Sequence, residues 1–408
     1  MTDKQKYTII FILGGLTALA PFSIDMYLPA FPTIAKSLNT DISKVALSLT
    51  SYFIGISFGQ LIYGPITDKF GRKKPLIFGL SLFLIAAIGC ALSTTIYQLI
   101  FMRVILALGG CVGMVVSRAI VRDLFPATEI AKVFSTLMLI VGVAPIIAPT
   151  IGSWVVTVST WNTIFYILSA ISLVLLMAVY FYLPETKKPD PEKSLKARNV
   201  FNDYKSVLTE KTFLFYTFAA SIASAGMFSY ISCSSFVFIE YFGLKESHFG
   251  MVFGLNALGF IIGSQVNRPL LNKFSSFQII KGAAITLFAI GILMTVFFVL
   301  DKMTVLVMIV LLFSFLFLLG LLLPNASAMA LTPFTNNAGS ASALIGFIQM
   351  FCGAVWSALV SALHNNTLFP MIFGMVSSAT IMFVIIMRLD YYTKKGKLEP
   401  HIIEISDK

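Results

Sequence analysis

Apolar residues in this chain run in long blocks of similar length, separated by short polar or charged stretches. The blocks fall near 7–30, 46–66, 76–94, 98–117, 133–156, 162–183, 212–238, 249–267, 277–299, 304–325, 340–362 and 369–387. Each approaches the ~20 residues that a helix needs to cross the hydrocarbon of a bilayer. The pattern predicts an all-α integral membrane protein with about twelve transmembrane helices. Composition points the same way. The chain is 58% hydrophobic and 12% charged, about half the charged fraction of a water-soluble domain, so its solvent is lipid.

The cations are unevenly placed, and this sets the expected orientation. With the N-terminus inside, inner segments hold Lys4, Lys6, Lys69, Arg72, Lys73, Lys74, Arg118, Arg122 and Lys132. Further inner cations are Lys187, Lys188, Lys193, Lys196, Arg198, Lys205, Lys211, Arg268, Lys273 and Lys281. The outer loops carry only Lys36, Lys44, Lys245 and Lys302. The positive-inside bias therefore puts both termini in the cytoplasm and the protein in the cell inner (cytoplasmic) membrane. The net charge of +11 reads as a topology signal, and no nucleic-acid partner is expected. The first apolar run is too long for a signal peptide and ends in no small-residue cleavage pattern. Cys90, Cys111, Cys233 and Cys352 all lie in apolar spans without ligand spacing, so packing is expected and disulfides or metal are not.

Residues 184–211 interrupt the pattern with Pro184, Pro189, Pro191 and charges of both signs. They predict a hydrated cytoplasmic linker with a short surface helix around Ser194–Val207. Six spans precede the linker and six follow it, giving an N-terminal bundle (1–183) and a C-terminal bundle with its tail (212–408). Two such bundles suggest rocking about a midplane site; a single fused block is the alternative.

Three local patterns carry candidate chemistry. The first is the turn Gly64-Pro-Ile-Thr-Asp68-Lys-Phe-Gly71-Arg72-Lys73-Lys74 between the second and third spans. Gly64 and Gly71 would permit close helix approach and a tight reversal. Asp68 stands among cations, within reach of a helix N-terminus or an Arg, and Arg122 and Asp123 are candidate partners for it and for Arg72. A simple topology anchor is the plainer reading. The matching loop of the second half, Gly263–Lys273, keeps Gly263, Arg268 and Lys273 but has Asn267 and Pro269 and no acid. The second pattern is Asp25, the one acid of 18 that falls inside a span, opposite Arg103 in the fourth span. An intramembrane ionisable residue is a functional candidate by default, and a structural ion pair is the alternative. Counted from the outer ends of their spans, both lie about five residues deep, about 8 Å by helical rise. A carboxyl whose surroundings change between two states can bind a proton in one and release it in the other. The third is Gly142-Val-Ala-Pro145-Ile-Ile-Ala-Pro149-Thr-Ile-Gly152 in the fifth span, where prolines and small residues kink a helix and allow tight packing.

These patterns together resemble the major facilitator superfamily. The Gly64–Lys74 turn matches its cytoplasmic loop signature at Gly64, Asp68, Gly71, Arg72 and Lys73, which implies a gate that holds the cytoplasmic side closed. The fifth-span run is similar to the family's antiporter motif at Gly142, Pro145, Pro149 and Gly152, with Ser153 where a second Gly is common. Asp25-Met-Tyr-Leu-Pro29-Ala-Phe-Pro32 and the Arg103–Asp123 stretch resemble the bicyclomycin-resistance (Bcr/CflA) subgroup of drug:H+ antiporters. Leu106 departs from it where relatives often have Gln, and Thr17 stands where some exporters carry a second acid. The resemblance covers the N-terminal half by motif and the rest by topology.

The resemblance implies a monomeric, proton-coupled exporter working by alternating access, with Asp25 as proton carrier, Arg103 tuning it, and no enzyme activity or cofactor. One acid and one base leave little net charge, which favours neutral or zwitterionic amphipathic substrates such as bicyclomycin- or phenicol-like drugs. A proton-linked importer of a nutrient is the alternative. Tyr27, Asn256 and Gln349 are candidate cavity residues, with ordinary interhelical hydrogen bonding as the equal alternative for the last two. His248, His364 and His401 form no cluster, and no selectivity-filter segment suggests a channel.

Overall fold

The computed structural model describes residues 3–189, 204–334 and 338–395, and those residues are helical with short connections and no strands. The chain forms two compact units, Met1–Asn202 with Lys245–Met251, and Asp203–Leu244 with Val252–Lys408. Most of the surface helix expected near 194–207, and with it Lys193, Lys196 and Arg198, lies outside the described residues. Residues 204–208 are helical.

The first unit contains α1 (Asp3–Asp25), α2 (Phe31–Ser37), α3 (Ile42–Phe70), α4 (Lys73–Ala91), α5 (Ile96–Leu124), α6 (Ala127–Val158) and α7 (Asn162–Tyr182). The continuous first span expected over 7–30 is broken. α1 stops at Asp25, a 3-10 turn covers Leu28–Ala30, and α2 resumes at Phe31. Pro29 is the cause: it has no N–H to give the carbonyl four residues back, which is that of Asp25, and its ring crowds the same carbonyl. Pro29 and Pro32 then sit at the starts of the 3-10 turn and α2, where a missing donor costs nothing. α5 runs seven residues beyond the expected Ser117 end, to Leu124. It ends where Phe125 turns extended ahead of Pro126, as pre-proline sterics require.

The second unit contains α8 (Lys211–Ser235), which continues as a π-helical turn over Phe236–Tyr241, then α9 (Glu246–Leu270), α10 (Ser276–Val299), α11 (Val305–Leu331), α12 (Ala338–Ala362) and α13 (Phe369–Lys394). α10 opens with a reciprocal capping box between Ser275 and Gln278, which meets two otherwise orphaned donors.

Among the described residues, 11 helical segments are long and apolar enough to cross a membrane, and Gly142–Val158 of α6 is a shorter apolar stretch. Lipid is as apolar as leucine, so burial from water gives helices little reason to associate there, and close backbone packing must supply it. Small residues provide that packing in both units. A Cβ on Gly113 of α5 would strike the Leu16 carbonyl of α1, and one on Gly55 of α3 the Val104 carbonyl of α5. In the second unit, Gly263 of α9 lies against the Phe317 carbonyl of α11. The four cysteines are unpaired, and no cluster of metal-ligand type occurs among the described residues.

Candidate functional site

The proline break places Asp25 at the last residue of α1, 4% exposed. It is the one acidic side chain among the buried described residues, and it forms no hydrogen bond or ion pair with any of them. Its backbone is held from two sides. From α6, Gly152 packs onto the Met26 carbonyl so closely that no Cβ would fit. From α5, Arg103 Nη1 donates to the Ser23 carbonyl at 2.9 Å and the Ser23 hydroxyl at 3.1 Å.

Arg103 thus grips the last turn of α1 rather than the Asp25 carboxylate. Arg103 lies seven residues inside α5 from Ile96 and reaches residues on either side of Asp25, Ser23 and Tyr27. The Arg103 guanidinium is fully buried, and its Nε and Nη2 have no hydrogen-bond partner. Aromatic faces surround it instead: the Tyr52 ring centroid lies 4.3 Å away, that of Tyr27 4.5 Å and that of Phe165 5.9 Å. A desolvated cation over such a face gains roughly 2 kcal/mol or more. Tyr27 is also tied by its hydroxyl to Ser48 at 2.8 Å, so it is a buried wall of this box. Leu106 is buried one turn further along α5.

Sequence reasoning named Arg103 and Tyr27 but missed Ser23, Tyr52 and Phe165. Tyr52 and Phe165 stand on α3 and α7 among many aromatic residues, and no spacing singles them out.

The Gly64–Lys74 turn becomes a charged corner. Gly71 has φ +84°, the left-handed region that favours glycine, and it turns α3 into α4. Arg72, 5% exposed, gives Nη1 to Asp68 and Nε to Asp123 of α5, each at 2.9 Å. Burial works against its charge, but Asp123 and Asp68 more than offset this and raise its pKa. The segment after α7, Glu185-Thr-Lys187, completes the corner. Lys187 pairs with Asp68 at 2.9 Å, and the Thr186 hydroxyl donates to Asp123 at 3.0 Å. The Glu185 carboxylate accepts the Arg72 backbone N–H at 2.7 Å and that of Lys73 at 3.2 Å. It meets the orphaned donors at the N-terminus of α4, where the helix dipole also favours an anion.

Two sequence expectations are corrected here. Apart from its own helix turn, no atom of the described residues lies within 4 Å of where a Gly64 Cβ would be, so Gly64 mediates no close helix contact among them; α3 and α5 meet instead at Gly55. Arg122 is exposed and takes no part in the ion pairs formed by its neighbour Asp123, because successive helix residues point about 100° apart. Lys73 gives its ammonium to the Tyr180 carbonyl at 2.8 Å rather than to an acid.

Gly142, Pro145 and Pro149 lie within α6 with Gly152, the two prolines interrupting its hydrogen-bond ladder. In the second unit, fully buried Asn256 donates to the Tyr230 hydroxyl at 3.2 Å and its Oδ1 has no partner. Gln349 donates to Ser224 at 2.7 Å.

Helices of this length with polar groups at breaks and corners define a multi-pass membrane protein. The Major Facilitator Superfamily model matches residues 13–357, and the chain belongs to that family. Among curated relatives, "Uncharacterized MFS-type transporter YdgK" of Bacillus subtilis (strain 168) is 34% identical over 94% of each chain. "Bicyclomycin resistance protein homolog" of Haemophilus influenzae is 32% identical, over 96% of this chain and 97% of that one. The fold matches the crystal structure of a D-xylose-proton symporter with TM-score 0.69, covering 92% of this chain and 97% of that one at 16% identity.

Proposed function

We propose that this protein is a twelve-span, proton-coupled exporter of small amphipathic compounds, neutral or zwitterionic, such as bicyclomycin- or phenicol-like drugs. In this reading both termini are cytoplasmic, the protein works as a monomer in the inner membrane, and the proton gradient drives it without a cofactor. Residues 184–211 link two bundles that alternate access to the substrate.

One observation carries the proposal: Asp25 is a buried carboxyl without a basic partner, set at a proline break in a membrane-spanning helix. Among the described residues no cation pairs with its carboxyl, so protonation there breaks no ion pair. Proton binding and substrate occupancy compete, so each proton that enters moves a substrate outward. Arg103 acts as a positioning residue that fixes the last turn of α1 through Ser23, while Gly152 of α6 fixes the residue after Asp25. The bicyclomycin-resistance relative supports export over uptake. The symporter likeness supports only the fold, since transport in either direction uses it.

Everted membrane vesicles test the proposal. Substrate added to vesicles holding an imposed pH gradient is expected to dissipate it, with Asp25→Asn inert and Asp25→Glu partly active. Normal uphill transport by Asp25→Asn would overturn the assignment. A candidate nutrient that collapses the gradient and supports growth would favour the importer.

A further inference from the structure

The first unit bears an open groove between α3, α4 and α5 of about 410 Å³. Ile62, Ile66 and Phe70 of α3 and Phe78 of α4 form its walls. Ile62 is 48% exposed, Phe70 45% and Phe78 65%, so the groove is open at the surface of the unit. Two of its lining residues have polar ends. Tyr63 lines it part-way along, and the absence of a side chain at Gly79 leaves room for the Tyr63 hydroxyl, 3.0 Å from where a Cβ would stand. Lys74, exposed at the first turn of α4, closes the end beside the charged corner.

Charge is uncompensated at that end. Asp68 serves Arg72 and Lys187, Asp123 serves Arg72 and Thr186, and Glu185 serves the α4 N-terminus. Lys74 has no ion pair among the described residues, and Lys69 lies with its ammonium 5.9 Å from the ring centroid of Phe70, a groove wall. The groove is therefore a greasy channel with a cationic mouth. Its lining is almost wholly apolar, the surface that an acyl chain covers most favourably.

We propose that this groove is a binding site for one anionic phospholipid, with an acyl chain along α3 and α4 and the phosphate on Lys74 beside Lys69. The inference rests on the membrane embedding of the chain and is independent of the export reading. A zwitterionic lipid fills the groove as well but gains less from its mouth, because its ammonium faces the same cations. Each lysine near a membrane surface adds about 1 kcal/mol toward anionic lipid, which is about fivefold in occupancy.

Native mass spectrometry of the purified full chain tests this, after exchange into detergent micelles holding equal phosphatidylglycerol and phosphatidylcholine with matched chains. The wild type is expected to retain phosphatidylglycerol preferentially. Lys74→Ala should lower that retention about fivefold, Lys74→Arg should preserve it, and Ile62→Trp, which fills the groove, should lower retention of both lipids. Lys302→Ala, which removes a cation far along the chain, should change nothing. Equal retention of the two lipids by the wild type, or unchanged retention in Lys74→Ala, would overturn the proposal. Displacement of the lipid by millimolar inorganic phosphate would also overturn it, since a bare anion site would then explain the data.

Discussion

The two units carry the same corner in different chemistry. In the first, Gly64 is followed four residues later by Asp68; in the second, Gly263 is followed at the same spacing by Asn267. Asp68 and Asp123 hold Arg72 in an ionic cluster that the Glu185–Lys187 segment completes. Asn267 instead accepts one neutral hydrogen bond, from Asn325 of α11 at 2.6 Å. Arg268, one residue on, is exposed. The glycines trade roles as well: Gly263 lies in close helix contact, whereas Gly64 faces open space. A charge cluster is rigid and strongly directional, and an amide pair is a weaker tie that can re-form with other partners. The first unit therefore holds its corner as a fixed block, while the corner of the second rests on helix packing and one amide pair.

Removing Arg72 should expose the difference most sharply. Arg72→Ala leaves Asp68 and Asp123 without their shared cation in a partly buried setting. The expected cost is about 3 kcal/mol, near the lower bound for breaking a buried pair, with transport reduced at least tenfold. Asn325→Ala should cost about 1 kcal/mol, one neutral hydrogen bond with its partner left half satisfied. Thermal unfolding of the purified variants and substrate efflux from cells measure both. Equal losses in the two variants would mean that the units are tied alike.

The glycines give a second, smaller contrast. Gly71→Ala must force a left-handed backbone on alanine, and its Cβ would meet the Glu185 carboxylate at 2.8 Å. About 2 kcal/mol is expected, from backbone strain and displacement of the helix cap. Gly64→Ala adds a methyl to open space inside α3, where alanine is the better helix former, so a gain of about 0.5 kcal/mol is expected. A loss at Gly64 matching that at Gly71 would show that the corner needs both glycines.

How much of this could be read in advance follows from what kind of signal each feature leaves. The spans, the charged turn and the lone membrane acid were legible because hydrocarbon punishes polar groups and so spaces them far apart in sequence. The break after Asp25 was legible in principle, since Pro29 stands four residues beyond it. The expected span nevertheless ran on to residue 30, because hydropathy does not register a missing N–H. The aromatic box around Arg103 was not legible. Its walls come from α3, α7 and the turn after α1, and in a chain with 38 Phe and 14 Tyr no one ring is distinguished before folding. The role of Glu185 was hidden for a related reason. Its partner is backbone N–H, which every residue but proline carries, so neither spacing nor charge pattern points to the contact.

The finest test transplants the acid itself. In Asn267→Asp the new carboxylate occupies the place of Oδ1, so the Asn325 amide can still donate to it, and the bond gains charge assistance. Against that, Asn267 is 7% exposed, and among the described residues no cation bonds to it as Arg72 does to Asp68, so desolvation opposes the new charge. Desolvation outweighs that gain, so the new carboxyl stays neutral, and with the Asn325 bond kept a net loss below about 1 kcal/mol is expected. The reverse change, Asp68→Asn, removes the charge that two cations share and should cost more. Thermal unfolding of the two single variants measures the asymmetry. If Asn267→Asp is instead as damaging as Asp68→Asn, the second corner is as tightly specified as the first, and the contrast between a charged and a packed corner fails.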